Sequence, residues 1–110
     1  MSNYNKQEKA KDSRLKRVYG ITLAEYNALL EHQGNKCYIC HRPPINTTLA
    51  VDHKHQKRDK KLPGTAKRDH VRGLLCWSCN KGLSFYKDDA IRFERAASYL
   101  THPPAKRVIK

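Results

Sequence analysis

The sequence predicts a small α+β domain in which two short strands lie between N-terminal and C-terminal helices. The chain has 110 residues, of which 38% are hydrophobic, so its apolar core is small. Four cysteines form two C-x2-C pairs, and each pair lies near a short apolar run of strand length. Amphipathic segments with the period of a helix flank these runs on both sides.

The N-terminal part of the chain predicts two helices preceded by an arm. Residues 1–13 are polar, charged and without periodicity, so we expect a disordered basic arm there. Residues 14–34 are expected to form the N-terminal helices. The first helix ends at Gly20, and the second begins with a capping box of Thr22 and Glu25. Four residues form the apolar face of the second helix: Leu23, Tyr26, Leu29 and Leu30.

The central segment, residues 35–87, is expected to hold the core of the domain. Leu49–Val51 and Val71–Leu75 are short apolar runs that predict two strands. Gln56–Asp69, between them, is a basic loop with a Pro-Gly turn signal at its centre. This order places each predicted strand close to one cysteine pair.

The C-terminal segment, residues 88–110, predicts one helix and a basic tail. Asp88 or Asp89 is a candidate N-cap, and Pro103-Pro104 is expected to end the helix. With the preceding segments, residues 14–110 are expected to form a single domain.

The cysteine spacing predicts a structural zinc site. Two C-x2-C pairs are typical of tetrahedral sites, in which the thiolates bind zinc at about 2.3 Å. The N-terminus carries no export signal, so disulfides are not expected. A redox dithiol and free buried thiols are the alternatives, but a redox motif usually occurs once and beside a βαβ pattern, which this sequence lacks. The predicted zinc ligands are Cys37, Cys40, Cys76 and Cys79.

The net charge of +13 indicates a polyanionic partner. Neutralising phosphates releases counterions, so a basic excess of this size favours nucleic acid over purely solvated surface charge. The excess is spread over residues 1–21, 51–75 and 76–110, and the charges cancel over residues 22–50. No apolar run approaches the ~20 residues of a membrane span, so we expect a cytoplasmic protein with no membrane partner.

Asp52, His53, His55 and Asn80 are the candidate catalytic residues. Asp52 and His53 follow an apolar run, and Asn80 follows the last cysteine, so the zinc framework would fix both positions. Carboxylate and amide oxygens are hard ligands that suit Mg²⁺, and a neutral His53 would accept the proton of a water that attacks a phosphodiester.

Each of these residues also has a structural interpretation. Asp52 would cap a turn, Asn80 would cap a helix, and the histidines would contact phosphate or compete for zinc. On the residues alone, a nuclease and a non-catalytic zinc-stabilised nucleic-acid-binding module therefore both remain open.

Three stretches of the sequence together resemble one family. Tyr19–Cys40, Val51–His55 and Val71–Asn80 are similar to the HNH (His-Me finger) nucleases, in particular the recombination endonuclease VII branch. The resemblance covers roughly residues 14–86. It implies a ββα-metal fold with structural zinc, hydrolysis of DNA with Mg²⁺ or Mn²⁺, products with a 5′ phosphate, and a phage or mobile-element association.

The resemblance also implies roles for individual residues. Asp52 and Asn80 correspond to the ligands of a catalytic divalent ion and His53 to the general base. His55 corresponds to a second histidine that supports the phosphate. Leu83 stands where some relatives have an acidic ligand, so water is expected to complete the coordination.

The expected partner is double-stranded DNA, including nicked or branched DNA. We expect a monomer, because only one helix of about a dozen residues follows the core. Five basic residues near the site are candidates for phosphate contacts: Lys54, Lys57, Arg58, Arg72 and Lys81.

Overall fold

The small α+β class that the sequence predicts is present in the computed structural model, which describes residues 5–54 and 67–109. The chain divides into two compact units, Met1–Asn80 and Lys81–Lys110. The expected single domain over residues 14–110 stays a prediction. The elements are α1 (Lys6–Tyr19), α2 (Leu23–His32), β1 (Ala50–His53), a 3₁₀ turn (Arg68–His70), β2 (Val71–Leu75), α3 (Trp77–Phe85), α4 (Ala90–Thr101) and α5 (Ala105–Val108).

Helix α1 begins at Lys6, so the helix start expected at Arg14 is wrong, and residues 6–13 of the expected disordered arm are helical. The Asn5 side chain caps the helix by accepting the Glu8 N–H at 2.8 Å. The buried Asp12 carboxylate accepts the N–H of Leu23 at 2.8 Å. This hydrogen bond lowers the pKa of Asp12. The polar composition of residues 6–13 hides a local signal, since Asn5 and Glu8 have the spacing of a helix cap.

The junction of α1 and α2 follows the sequence signals. Gly20 ends α1 with a φ of 76°, in the left-handed region that favours glycine. Thr22 and Glu25 form the predicted capping box at the start of α2. Tyr26 is buried, and its hydroxyl donates a 2.6 Å hydrogen bond to the Leu49 carbonyl, which ties α2 to the segment that enters β1.

Strands β1 and β2 form an antiparallel pair in which Ala50 lies opposite Leu75 and Asp52 lies opposite Gly73. The register shifts after Asp52, because His53 lies opposite Val71. Arg72 is therefore the extra residue of a β-bulge, a feature that often re-aims a side chain beside an active site.

The Gln33 side chain pairs with the backbone of β2. Its amide oxygen accepts the Leu74 N–H at 2.9 Å, and its amide nitrogen donates to the carbonyls of Leu74 (2.9 Å) and Lys36 (3.0 Å). A Cβ at Gly73 would lie 3.1 Å from the Gln33 amide oxygen, so a glycine there leaves this side chain its space. The contact joins the end of α2 to β2.

The core of the first unit lies among α1, α2 and the two strands. Its side chains come from elements on both sides of the first cysteine pair, and Cys37 itself is among them. The buried apolar residues are Leu15, Ile21, Leu23, Tyr26, Cys37, Leu49, Val51, Leu74 and Leu75.

The second unit contains α4 and α5. Of the two N-cap candidates, Asp89 caps α4, by accepting the Ile91 N–H at 3.0 Å. The rings of Tyr86 and Phe93 pack edge to face with centroids 5.0 Å apart. The predicted basic tail differs from the structure, since α5 forms one turn there. None of the helices in the described residues is long and apolar enough to cross a membrane.

Candidate functional site

The four cysteines form a cluster that could hold a metal ion. Their sulfur atoms all lie within 4.8 Å of one another, and the sulfurs of Cys40 and Cys76 are 3.7 Å apart. Tetrahedral zinc at about 2.3 Å from each sulfur requires sulfurs separated by about 3.8 Å. None of the four cysteines forms a disulfide. The cluster therefore has the composition and dimensions of a structural zinc site.

Local backbone contacts hold the first cysteine pair against the sheet. The Cys37 N–H donates to the Arg42 carbonyl at 2.9 Å, and the His41 N–H donates to the Cys37 carbonyl at 3.0 Å. The Tyr38 N–H donates to the Leu74 carbonyl at 3.4 Å. The turn that carries Cys37 is thereby joined to β2, and the second cysteine pair begins directly after β2.

The thiols of the cluster differ in acidity. Burial raises the pKa of Cys37, but hydrogen bonds from backbone groups of Cys40, Cys76 and Ile39 outweigh it and bring the pKa to about 6. Burial and the neighbouring sulfurs raise the pKa of Cys79 to about 12. Four thiolates this close repel one another, so a bound divalent cation is what would keep all four ionised.

The carboxylate of Asp52 is buried near the end of β1, with its side chain 5% exposed. Arg72 binds both of its oxygens: Nε lies 2.7 Å from Oδ2, and Nη2 lies 3.0 Å from Oδ1. A bidentate guanidinium–carboxylate pair fixes the orientation of the carboxylate as well as balancing its charge. The bulge at Arg72 is therefore part of the site.

His53 ends β1 and is half-buried. Its ring packs edge to face against Tyr19, the last residue of α1, with centroids 5.6 Å apart. One residue further along the chain, the Lys54 N–H donates a hydrogen bond to the His70 carbonyl at 2.7 Å. This bond fixes the backbone at the end of β1. The imidazole is thus held between a strand end and the C-terminus of α1.

The structure places the remaining candidate residues as follows. Asn80 is half-buried as the fourth residue of α3, and its N–H donates to the Cys76 carbonyl at 3.0 Å. Lys54 and Lys81 are exposed, and Lys81 belongs to the second unit. Three predicted site residues lie outside the described residues: His55, Lys57 and Arg58.

Sequence reasoning missed two contributors to this site. Tyr19 packs on His53, and Gln33 holds the backbone of β2. The phosphate contact expected for Arg72 stays a prediction, and the structure shows its guanidinium bound to Asp52. Both contacts join residues that are far apart in the sequence, Gln33 with Leu74 and Tyr19 with His53. Periodicity and spacing give no signal for contacts of this kind.

The cysteine cluster and the strand-borne Asp-His pair are the features expected of a zinc-containing nuclease family. The chain belongs to the recombination endonuclease VII family, whose model matches residues 12–102. This confirms the resemblance that the sequence motifs carry.

Two curated phage proteins are similar to the chain, the Gene 59 proteins of Mycobacterium phage D29 and Mycobacterium phage L5. Each is 42% identical over 100 residues, which is 89% of this chain and 54% of the relative. The chain thus spans about half the length of these relatives. No solved structure matches the chain at a significant level.

Proposed function

We propose that this chain is a metal-dependent DNA endonuclease of the HNH subtype, with β1, β2 and α3 as its ββα-metal core. The observation that carries the proposal is the buried Asp52 carboxylate beside His53, at the end of a strand, in a member of the recombination endonuclease VII family. The net charge of +13 supports a DNA substrate.

Asp52 and Asn80 are the proposed ligands of one catalytic Mg²⁺ or Mn²⁺ ion. Both offer hard oxygen atoms, and Mg²⁺ typically takes one or two carboxylates and keeps several waters. The carboxylate of Asp52 lies against the Arg72 guanidinium, so a divalent ion would have to take the place of this positive group at one oxygen or both. When bound, such an ion stabilises charge on the phosphate and on the leaving 3′ oxygen.

His53 is the proposed general base. A neutral imidazole accepts a proton from the water that attacks phosphorus, and the bond to the 3′ oxygen breaks, which leaves a 5′ phosphate. The Tyr19 ring limits the orientations that the imidazole can take. His55 is proposed to support the phosphate.

The other proposed contributions are structural or electrostatic. The four cysteines bind zinc and hold the strands against α3. The relatives are phage proteins, so a phage-encoded nuclease that acts on double-stranded DNA in the host cytoplasm fits the chain best, and we propose a monomer. Phosphate contacts are proposed for Lys54, Lys57, Arg58, Arg72 and Lys81.

Relaxation of a supercoiled plasmid with Mg²⁺ or Mn²⁺ tests this proposal. The His53→Ala variant should lose at least a hundredfold in nicking rate, within the range for a lost general base, and should still bind DNA. His32→Ala, an exposed histidine at the end of α2, is the matched control and should cut normally. Wild-type cutting by His53→Ala together with loss of cutting in His55→Ala would show that the base is assigned to the wrong histidine.

A non-catalytic zinc-stabilised binding module is the second candidate. The bidentate Arg72–Asp52 pair favours it, because such a pair is also what a purely structural carboxylate would have. This module would bind DNA with a steep salt dependence and would cut no plasmid with any divalent metal.

A further inference from the structure

Arg72 is a charged partner of Asp52 and occupies both carboxylate oxygens. The Asp52 side chain is 5% exposed, whereas that of Arg72 is 37% exposed. The carboxylate is therefore fixed inside the fold, while the guanidinium reaches the surface. Of the two groups, Arg72 is the one that can leave.

A guanidinium and a divalent cation cannot both bind this carboxylate without strong repulsion. Both are positive, and two cations within hydrogen-bonding range of one buried group repel each other more strongly than they would in water. A metal ion that binds Asp52 must therefore displace Arg72 from at least one oxygen. The bulge at Arg72 leaves this residue out of the regular strand register, so its side chain can move while β1 and β2 stay paired.

We infer that Arg72 is a positioning residue that competes with the divalent cation for Asp52 and moves to a DNA phosphate when the cation binds. The inference rests on the proposed function and adds a regulation of the same site. Without cation and DNA, the guanidinium holds the carboxylate in place. With both present, the cation takes the carboxylate, and a phosphate replaces it as the bidentate partner of Arg72.

Competition makes a prediction about metal affinity that is independent of catalysis. The hydrogen bonds between Arg72 and Asp52 are charge-assisted, and a bound cation must break at least one of them. Removing Arg72 should therefore tighten Mn²⁺ binding roughly 10- to 100-fold. Mn²⁺ should also raise the melting temperature of Arg72→Met more than that of the wild type, because in the variant the cation supplies the missing positive partner.

The experiment measures Mn²⁺ binding by electron paramagnetic resonance on zinc-loaded protein without DNA. Arg72→Met is compared with the wild type, with Asp52→Asn, and with Arg68→Met. Arg68 is the matched control, since it forms an exposed ion pair with Glu25 and should leave the Mn²⁺ affinity unchanged. If Arg72→Met does not retain zinc, Arg72→Lys takes its place, because lysine is a point charge that cannot form the bidentate pair.

The inference is supported if Arg72→Met binds Mn²⁺ more tightly than the wild type, Arg68→Met binds it as the wild type does, and Asp52→Asn does not bind it. Equal or weaker binding by Arg72→Met, with binding still dependent on Asp52, would overturn the inference and leave the proposed function standing. Mn²⁺ binding that is absent from every protein, or unaffected by Asp52→Asn, would overturn the proposed metal site and the inference with it.

Discussion

Truncating Gln33 to alanine tests how the fold supports the site. The amide of this side chain hydrogen-bonds to the backbone of β2, as a neighbouring strand would. Gln33 is 7% exposed, and Leu74, whose N–H it accepts, is fully buried. In Gln33→Ala that N–H loses its partner, which costs about 1–3 kcal/mol, and two donated hydrogen bonds worth about 1 kcal/mol each are lost.

Two effects reduce this cost. The Leu74 carbonyl keeps the N–H of Tyr38 at 3.4 Å, and alanine has no side-chain entropy to lose on folding, a gain of about 1.5–2 kcal/mol. We therefore expect Gln33→Ala to lower the free energy of unfolding by about 2–3 kcal/mol, a large share of the stability of a small domain.

Urea denaturation of the zinc-saturated protein measures this loss, and amide hydrogen exchange at Leu74 locates it. Glu31→Ala is the matched control, since Glu31 is exposed near the end of the same helix and should change stability by less than about 0.5 kcal/mol. If Gln33→Ala is as stable as this control, and the Leu74 amide exchanges no faster than in the wild type, the hydrogen bonds of Gln33 do not stabilise β2.

Two further predictions concern zinc and pH. Removing zinc with a chelator, or replacing Cys37 with serine, should unfold the first unit, because metal binding supplies folding free energy in a small core; circular dichroism after chelation checks this, and an unchanged melting curve would contradict it. Burial raises the pKa of Tyr26, so the stability that its neutral hydroxyl provides should be present below pH 10 and lost as the pH rises through the raised value. Tyr26→Phe, which lacks the bond to Leu49, should be about 1 kcal/mol less stable than the wild type at pH 8, and this gap should close above pH 10 in urea titrations; a gap independent of pH would contradict the burial argument.

Local signals in the sequence predicted most elements of the fold. The capping box of Thr22 and Glu25, the stop at Gly20 and the cap at Asp89 are present where the sequence indicates them. Each of these depends on residues within one turn of a helix, so spacing is enough to find them. The start of α1 was missed although Asn5 and Glu8 have the spacing of a local cap, because the residues that follow show no apolar periodicity.

The candidate site was predictable in its residues but not in its contacts. The cysteine spacing predicted the cluster, and the motif after the first apolar run singled out Asp52 and His53. The sequence could not reveal the pairing of Arg72 with Asp52, because it depends on the strand register and on a bulge that shifts this register by one residue. From the sequence, a basic residue near a proposed DNA site could bind either a phosphate or a buried carboxylate. Only the fold shows that the Asp52 carboxylate lies within hydrogen-bonding distance of Arg72.

A crystal structure of the zinc-loaded protein soaked in Mn²⁺, with anomalous diffraction recorded, tests whether Asp52 and Asn80 bind one divalent ion beside His53. We expect one anomalous peak at coordination distance, about 2.1 Å, from a carboxylate oxygen of Asp52 and from the side-chain oxygen of Asn80, with the His53 ring beside it. Manganese bound elsewhere, or Arg72 still bound to both oxygens of Asp52 at saturating Mn²⁺, would contradict this expectation.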